Sequence, residues 1–218
     1  MRALRKIFIF VERFCDMERA RITAPQVGGW EDIERFAKGE VGVVNWEEYS
    51  FKPRTTFAIA HTDKALLLRF EVEEEHITGR CTQMHGAVYK DSCVEFFVRE
   101  PQAEHYYNFE MNCIGTILAA RRLSRSEKEY LSAEMMQKVV LRTSLPTGVP
   151  FKGSGCWSIE AQIPFEVIGI EGVPTLLEGN FYKCGDLTPI PHYVSWSPIA
   201  TPSPDFHRPE FFGKIILE

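Results

Sequence analysis

The chain has no apolar run long enough to cross a bilayer, which takes about 20 consecutive apolar residues. Its N-terminal stretch Ile7-Phe8-Ile9-Phe10-Val11 is stopped at once by Glu12 and Arg13. A secretory leader needs an apolar core of about 7–15 residues and a small-residue cleavage site. The expectation is therefore no membrane partner and no export by this route, which reads as cytoplasmic. Nor is there a basic excess: Lys+Arg 25 stands against Asp+Glu 30, a net charge of −5. That balance excludes nucleic acid or an anionic membrane surface as the natural partner.

Cysteine pairing motifs are missing too. Cys15, Cys81, Cys93, Cys113, Cys156 and Cys184 are widely spaced and include no Cys-x-x-Cys pair. They read as buried thiols and not as a disulfide framework. Cys81 with His85, His105 and His192 matches no zinc-ligand spacing, so no metal and no cofactor are expected. No phosphate-binding loop is present, because Ser154 follows Gly148 to Gly153 where a lysine is required. The chain has no Gly-x-Ser-x-Gly elbow. Its histidines are scattered, and neither a repeat nor a linker divides it.

What remains is a chain of 218 residues, 44% hydrophobic, with material for one large core. Short runs rich in Val, Ile, Phe and Tyr recur, separated by turn residues. Thr56–Ala60 and Ala65–Val72 flank the turn His61-Thr62-Asp63-Lys64. Residues 73–90 read as a long charged loop. Further strands are expected at 93–98, 107–113, 115–120, 139–144, 157–163, 180–184, 192–196 and 212–217. Trp157, Ile159, Ala161 and Ile163 alternate inward. Ser126 with Glu129 fits a capping box, predicting a surface helix over 126–138. Pro164 opens one helical turn at Phe165–Ile168. The economical architecture is all-β: an antiparallel β-sandwich with a short surface helix.

Two strands carry the chemistry. In Cys93-Val94-Glu95-Phe96-Phe97-Val98, alternation sends Val94, Phe96 and Val98 to the core and Glu95 the other way. In Tyr107-Asn108-Phe109-Glu110-Met111-Asn112-Cys113, Phe109, Met111 and Cys113 go to the core. Asn108, Glu110 and Asn112 share the opposite face. Such a floor is either a solvated sheet face or a site for a neutral, hydroxyl-rich ligand. Tyr89 and Trp196 are placed to pack on the apolar face of a sugar ring. Prolines 198, 202, 204 and 209 stiffen the loop that follows Trp196. Glu95 and Glu110 fall on adjacent strands, where opposed Cβ atoms lie about 4.5–5.5 Å apart. That spacing resembles the carboxyl separation of retaining glycosidases, so a glycoside hydrolase is the rival reading.

These segments also carry a family resemblance. Tyr89-Lys90-Asp91-Ser92-Cys93-Val94-Glu95-Phe96-Phe97 resembles the Trp-x-x-Asp-Ser-Val-Glu-hydrophobic-Phe signature of family 9 carbohydrate-binding modules. Ser195-Trp196-Ser197-Pro198 and Pro209-Glu210-Phe211-Phe212-Gly213 are similar to their C-terminal segments. A bacterial stand-alone group of family 9-like proteins is closer still. It shares Tyr106–Gly115, Gly179-Asn180-Phe181-Tyr182-Lys183-Cys184-Gly185-Asp186 and Pro204-Asp205-Phe206-His207-Arg208-Pro209.

The resemblance covers residues 45–218, leaving 1–44 as an extension that packs on the domain. It implies a jelly-roll-like, DOMON-like sandwich that binds a mono- or oligosaccharide. A terminal sugar would sit between Tyr89 and Trp196 over Glu95, with Glu110 and Asn112 beside it. Xylanase-attached relatives imply a setting in polysaccharide breakdown. Two departures stand out: Tyr89 replaces the usual Trp, and Glu110 stands where characterised modules place Arg. Those modules hold structural calcium, but no Asp-rich loop here demands it. Three readings stay open: sugar binding, hydrolysis by Glu95 and Glu110, and a scaffold with a decayed site.

Alternation predicts no disulfide between Cys93 and Cys113, whose Cβ vectors point to opposite faces. Mass spectrometry of the non-reduced protein should recover both thiols free. A joined peptide pair two hydrogens lighter would invert the strand phase.

Overall fold

The computed structural model describes residues 18–218; the Ile7–Val11 run and Cys15 lie outside them. Two sheets face each other across one core. The larger runs in the order β1 (Arg21–Ala24), β14 (Gly213–Leu217), β12 (Leu176–Cys184), β6 (Cys93–Arg99), β7 (Tyr106–Asn112), β8 (Ile117–Arg122), β9 (Lys128–Tyr130). A short β13 (Tyr193–Ser195) also pairs with β12, and β3 (Val43–Val44) pairs with β13. The smaller sheet runs β10 (Val140–Thr143), β11 (Phe151–Pro164), β5 (Ala65–Gly79), β4 (Arg54–His61), β2 (Ala37–Glu40). Every named pair is antiparallel except β1 on β14. The segment before residue 45 thus supplies strands to both sheets.

Alternation in the central strands behaves as the residue types dictate. Val94, Phe96 and Val98 of β6 and Phe109 and Met111 of β7 enter the inter-sheet core. There they meet Phe70 and Val72 of β5 and Trp157, Ile159, Ala161 and Ile163 of β11. Phe181 of β12 stacks on Phe57 of β4 at 3.8 Å between centroids and on Phe96 at 4.9 Å. Offset stacks of this kind add about 0.5–1.5 kcal/mol each beyond area burial.

Two local expectations are corrected. Residues 73–79 are not loop: β5 runs on to Gly79, pairing with Phe151–Cys156 of β11. Glu73, Glu75 and His76 are exposed along this hairpin, while Glu74, Ile77 and Thr78 turn inward and are buried. A register shift between Gly153 and Gly155, with Gly155 at φ 117°, bends it, a conformation glycine adopts without strain. The helix expected over 126–138 is only Ala133–Lys138, here α1, capped by Ser132, whose Oγ accepts from Met135 N at 3.3 Å. Ser126 belongs instead to the turn between β8 and β9. Pairing with the exposed edge of β8 outweighs the local capping signal for Lys128–Tyr130,.

The other face of the large sheet is also buried. Cys93 and Phe97, Tyr106, Leu118, and Tyr182 and Cys184 form a second apolar cluster. The proline-rich segment covers it with Ile199, Phe206, Phe211 and Phe212. The Asn108–Glu110–Asn112 face is therefore not a solvated one.

A buried ion pair joins the two sheets. Lys183 on β12 is fully buried, and its Nζ donates to Glu74 Oε1 of β5 at 3.2 Å. It also donates to Cys184 O at 2.9 Å and to His192 Nε2 at 2.7 Å. Glu74 Oε2 accepts from Trp157 Nε1 at 3.1 Å, so both oxygens are used. Burial, with the adjacent Lys183 charge, pushes His192 down to about 2. The ring is thus neutral, accepting at Nε2 and donating from Nδ1 to Ile190 O at 2.8 Å,.

Lys183→Met should cost about 3–5 kcal/mol in urea unfolding, because it strands the Glu74 carboxylate in the core. Adding Glu74→Leu should recover part of that loss. A single substitution within about 0.5 kcal/mol of wild type would show that the pair is not desolvated as described.

Candidate functional site

The polar residues on the outer face of the large sheet surround a cavity of about 380 Å³. Glu95 of β6 and Glu110 of β7 form its floor, directly opposed in strand register. Cys184 of β12 lies beside them. Tyr89 and Tyr193, both half-buried, border the cavity from different segments. At the mouth, His85 stacks on Tyr130 at 4.8 Å.

Local chemistry explains how these side chains are held. Tyr89 sits in a 3-10 turn, Val88–Lys90, just before β6. Asp91 fastens the preceding loop: its Oδ2 accepts from Arg80 N at 2.9 Å and Cys81 N at 2.8 Å. Ser92 Oγ accepts from Thr78 N at 2.9 Å. The Asp-Ser pair therefore anchors Tyr89 and does not face ligand. The Tyr193 ring is wedged edge-on against Tyr49 at 4.8 Å and Trp46 at 6.4 Å. Its hydroxyl is hydrogen-bonded to Asp186.

The floor is electrostatically poised. Glu110 Oε1 accepts from Asn108 Nδ2 at 2.8 Å and lies 3.7 Å from the Arg122 guanidinium. Arg122 Nε donates in turn to Asn108 Oδ1 at 2.7 Å. Burial nonetheless pushes the Glu110 carboxyl up to about 7, against the pull of Arg122 and Lys128. Glu110 Oε2 is buried and has no hydrogen-bond partner among the described residues. Glu95 is raised well above the usual carboxylate range, by burial first and the neighbouring Glu110 charge second. Cys184 Sγ, 3.1 Å from Glu95 Oε1, donates to it and offsets part of that rise. Burial lifts Asp186 to about 6 and presses His207 down to about 3. A carboxyl near neutrality can both donate and accept, which suits hydroxyl groups.

Three of the five expected ligand residues, Tyr89, Glu95 and Glu110, do meet at this cavity. Asn112 does not: its Nδ2 donates to Cys81 O at 2.8 Å and Asp91 Oδ2 at 2.9 Å, and Oδ1 accepts from Thr116 N at 2.8 Å. It is a loop anchor with every group used. Trp196 is also elsewhere. Its ring packs on Phe181 at 5.4 Å and Phe57 at 5.8 Å, on the inter-sheet side. A Cβ at Gly213 would come within 2.6 Å of it. The reason is parity: Val194 and Trp196 share the core side, which leaves Tyr193 facing outward over the floor,. Alternation along 193–196 was the signal that could have picked Tyr193. Nothing local marked Arg122, Asp186, His85 or Tyr130.

Comparison with known proteins identifies the family and the fold. The family model described as carbohydrate-binding family 9 matches residues 27–217. A solved protein from Bacteroides uniformis, described provisionally as carbohydrate-binding, is 31% identical, with a TM-score of 0.87. The match covers 92% of this chain and 100% of that one. A family 9 carbohydrate-binding module from Caldicellulosiruptor kristjanssonii, solved with cellotriose, has a TM-score of 0.63 at 13% identity, covering 91% and 94% of the two chains. Solved with glucose, a module of that family and organism gives 0.57 at 14%, covering 91% and 96%. These two show the shared β-sandwich. Among curated protein sequences none matches the chain significantly. Among the described residues no helix is long and apolar enough to cross a membrane.

The raised Glu110 carboxyl has a stability consequence. Its folded value, about 7, lies above the ordinary 4.5. The native state therefore holds this proton more tightly, a contribution fully present below pH 4.5 and lost as pH rises through about 7,. Wild type should lose stability relative to Glu110→Gln across that window. Urea midpoints of both proteins at pH 4.5 and pH 7.5 test this,; a difference that does not change with pH would refute a buried, raised carboxyl.

Proposed function

This chain belongs to carbohydrate-binding family 9, and we propose that it binds a terminal sugar in the cavity between Tyr89 and Tyr193. The observation that carries this reading is the meeting of two aromatic side chains over one buried polar floor. The apolar face of a pyranose packs on tyrosine rings, and Glu95 and Glu110 then exchange hydrogen bonds with its hydroxyls. A volume of about 380 Å³ lies near the low end of small-molecule pockets, which suits a chain end or a short oligosaccharide. The bacterial family 9 modules solved with glucose and cellotriose make neutral glucosides the first ligands to try.

A second reading has one observation in its favour. Glu95 and Glu110 are opposed in register, share the cavity, and are both raised by burial. A glycosidase pairs a protonated carboxyl with an ionised one in this way. Yet both groups rise from a single floor, and Arg122 and Asn108 already hold one of them. Binding without bond cleavage is the better account.

Calorimetry with glucose, cellobiose and xylobiose separates the two. Tyr193→Ala should weaken binding about 5- to 150-fold, the loss of one stacking face worth roughly 1–3 kcal/mol. Glu95→Gln should weaken it about tenfold. Trp196→Ala should leave the affinity of the folded fraction unchanged while lowering the unfolding midpoint, since its ring packs in the core. Released reducing ends from wild type, abolished in Glu95→Gln with ligand still bound, would make the protein a hydrolase.

A further inference from the structure

Beside the sugar floor lies a group of side chains of which this reading uses Glu95 but neither thiol. Cys93 and Glu95 are two positions apart on β6, so they project from the same face,. Cys184 on β12 pairs directly with Cys93 across the strands. One donor atom from each of the three lies within 4.8 Å of the others, and all three residues are buried. Two positions on one strand plus one on its neighbour form a tripod on a sheet face. Two of its three members, Glu95 and Cys184, also line the cavity.

We propose that Cys93, Cys184 and Glu95 form a site for a thiophilic divalent cation of the zinc type, with its fourth position open to the cavity. Two sulfur donors exclude magnesium and calcium, which take oxygen ligands. A closed structural zinc site has four protein ligands, whereas three with an open position mark one that accepts water or substrate. Tetrahedral bonds to sulfur and oxygen imply an S···O separation of roughly 3.6 Å. Cys184 Sγ and Glu95 Oε1 now stand 3.1 Å apart, so a small side-chain rotation admits the ion.

The second observation is Glu110. It opposes Glu95 in register, and its buried Oε2 has no hydrogen-bond partner among the described residues. A water or hydroxyl held in the fourth position supplies the missing donor. Proton balance follows from the chemistry. Each thiol must ionise before its sulfur ligates, so binding releases two protons, and a third where Glu95 is protonated. Burial raises Cys93 to about 12 and Cys184 well above the ordinary thiol value; affinity should therefore climb with pH. Two thiolates and a carboxylate around a divalent ion leave one net negative charge, with the buried Arg122 guanidinium nearby.

The test needs only metal and protein, so its outcome is independent of whether the cavity takes sugar. Cys15, Cys81 and Cys156 are replaced by serine, which leaves the buried thiols untouched. Cadmium titrated into this variant should give a sulfur-to-metal charge-transfer band that saturates at one equivalent. Zinc should displace the cadmium and release two or three protons in weakly buffered solution. Adding Cys93→Ser or Cys184→Ser should abolish the band, and Glu95→Gln should weaken zinc about tenfold or more. The proposal is overturned by no band and no proton release in the folded starting variant, a result that does not depend on how the Cys93 and Cys184 variants fold. It is equally overturned by a band that survives with both Cys93 and Cys184 replaced in folded protein.

Discussion

Strand β12 has to serve two cores at once, and most of this molecule follows from that constraint. Its alternate residues leave in opposite directions: Phe181 and Lys183 toward the smaller sheet, Tyr182 and Cys184 toward the proline-rich cover. A strand buried on both faces offers no solvated side for a charge. Lys183 is therefore neutralised in place by Glu74, with all three of its protons assigned. Because Glu74 belongs to β5, the pair also registers one sheet against the other. Because the ionic partner of Lys183 lies across the core, a shifted arrangement of the sheets would leave two buried charges unpaired, which is strongly unfavourable,.

The same double burial produces the site. Sheet positions facing the outer cluster lose water when residues 199–212 fold over them, yet Asn108, Glu95 and Glu110 remain polar. Hydrogen bonds run in a chain from Arg122 through Asn108 to Glu110, whose second oxygen has no partner among the described residues. Desolvation is the dominant influence on every raised carboxyl here. A polar floor that is costly to bury and incompletely satisfied is what a ligand with many hydroxyls relieves. On the proposed reading, the Tyr89 and Tyr193 walls would supply the apolar half of that recognition. Glu95 stands at the junction: it forms part of the floor, and a carboxylate oxygen lies within 4.8 Å of the Cys93 and Cys184 sulfurs.

Much of this was legible along the chain. Alternation located the core faces of β6, β7 and β11, predicted that Glu95 and Glu110 would face the same side, and separated Cys93 from Cys113. Those inferences depend on a period of two that no tertiary contact can alter once a strand forms. The Tyr89 to Phe97 segment and the close of the chain marked the family before any coordinate. Other features were hidden because distant segments decide them. The length of β5 depends on pairing with residues 151–156. The helix at 133–138 gave up residues 128–130 to the edge of β8. Trp196 looked like a ligand platform by its composition and its rigid neighbours, but its parity with Val194 turns it into the core.

The sequence by itself therefore determined the all-β class, the inward and outward faces of the central strands, and the two carboxyls that share the floor. Local spacing suffices for these, since each rests on residues a few positions apart. Only the tertiary structure decided that Tyr193, not Trp196, joins Tyr89, that Arg122 and Asp186 complete the surround, and that the floor is buried and not solvated. Those outcomes depend on which remote segment covers which face, a choice made by the summed burial of the whole sandwich rather than by any one stretch of chain.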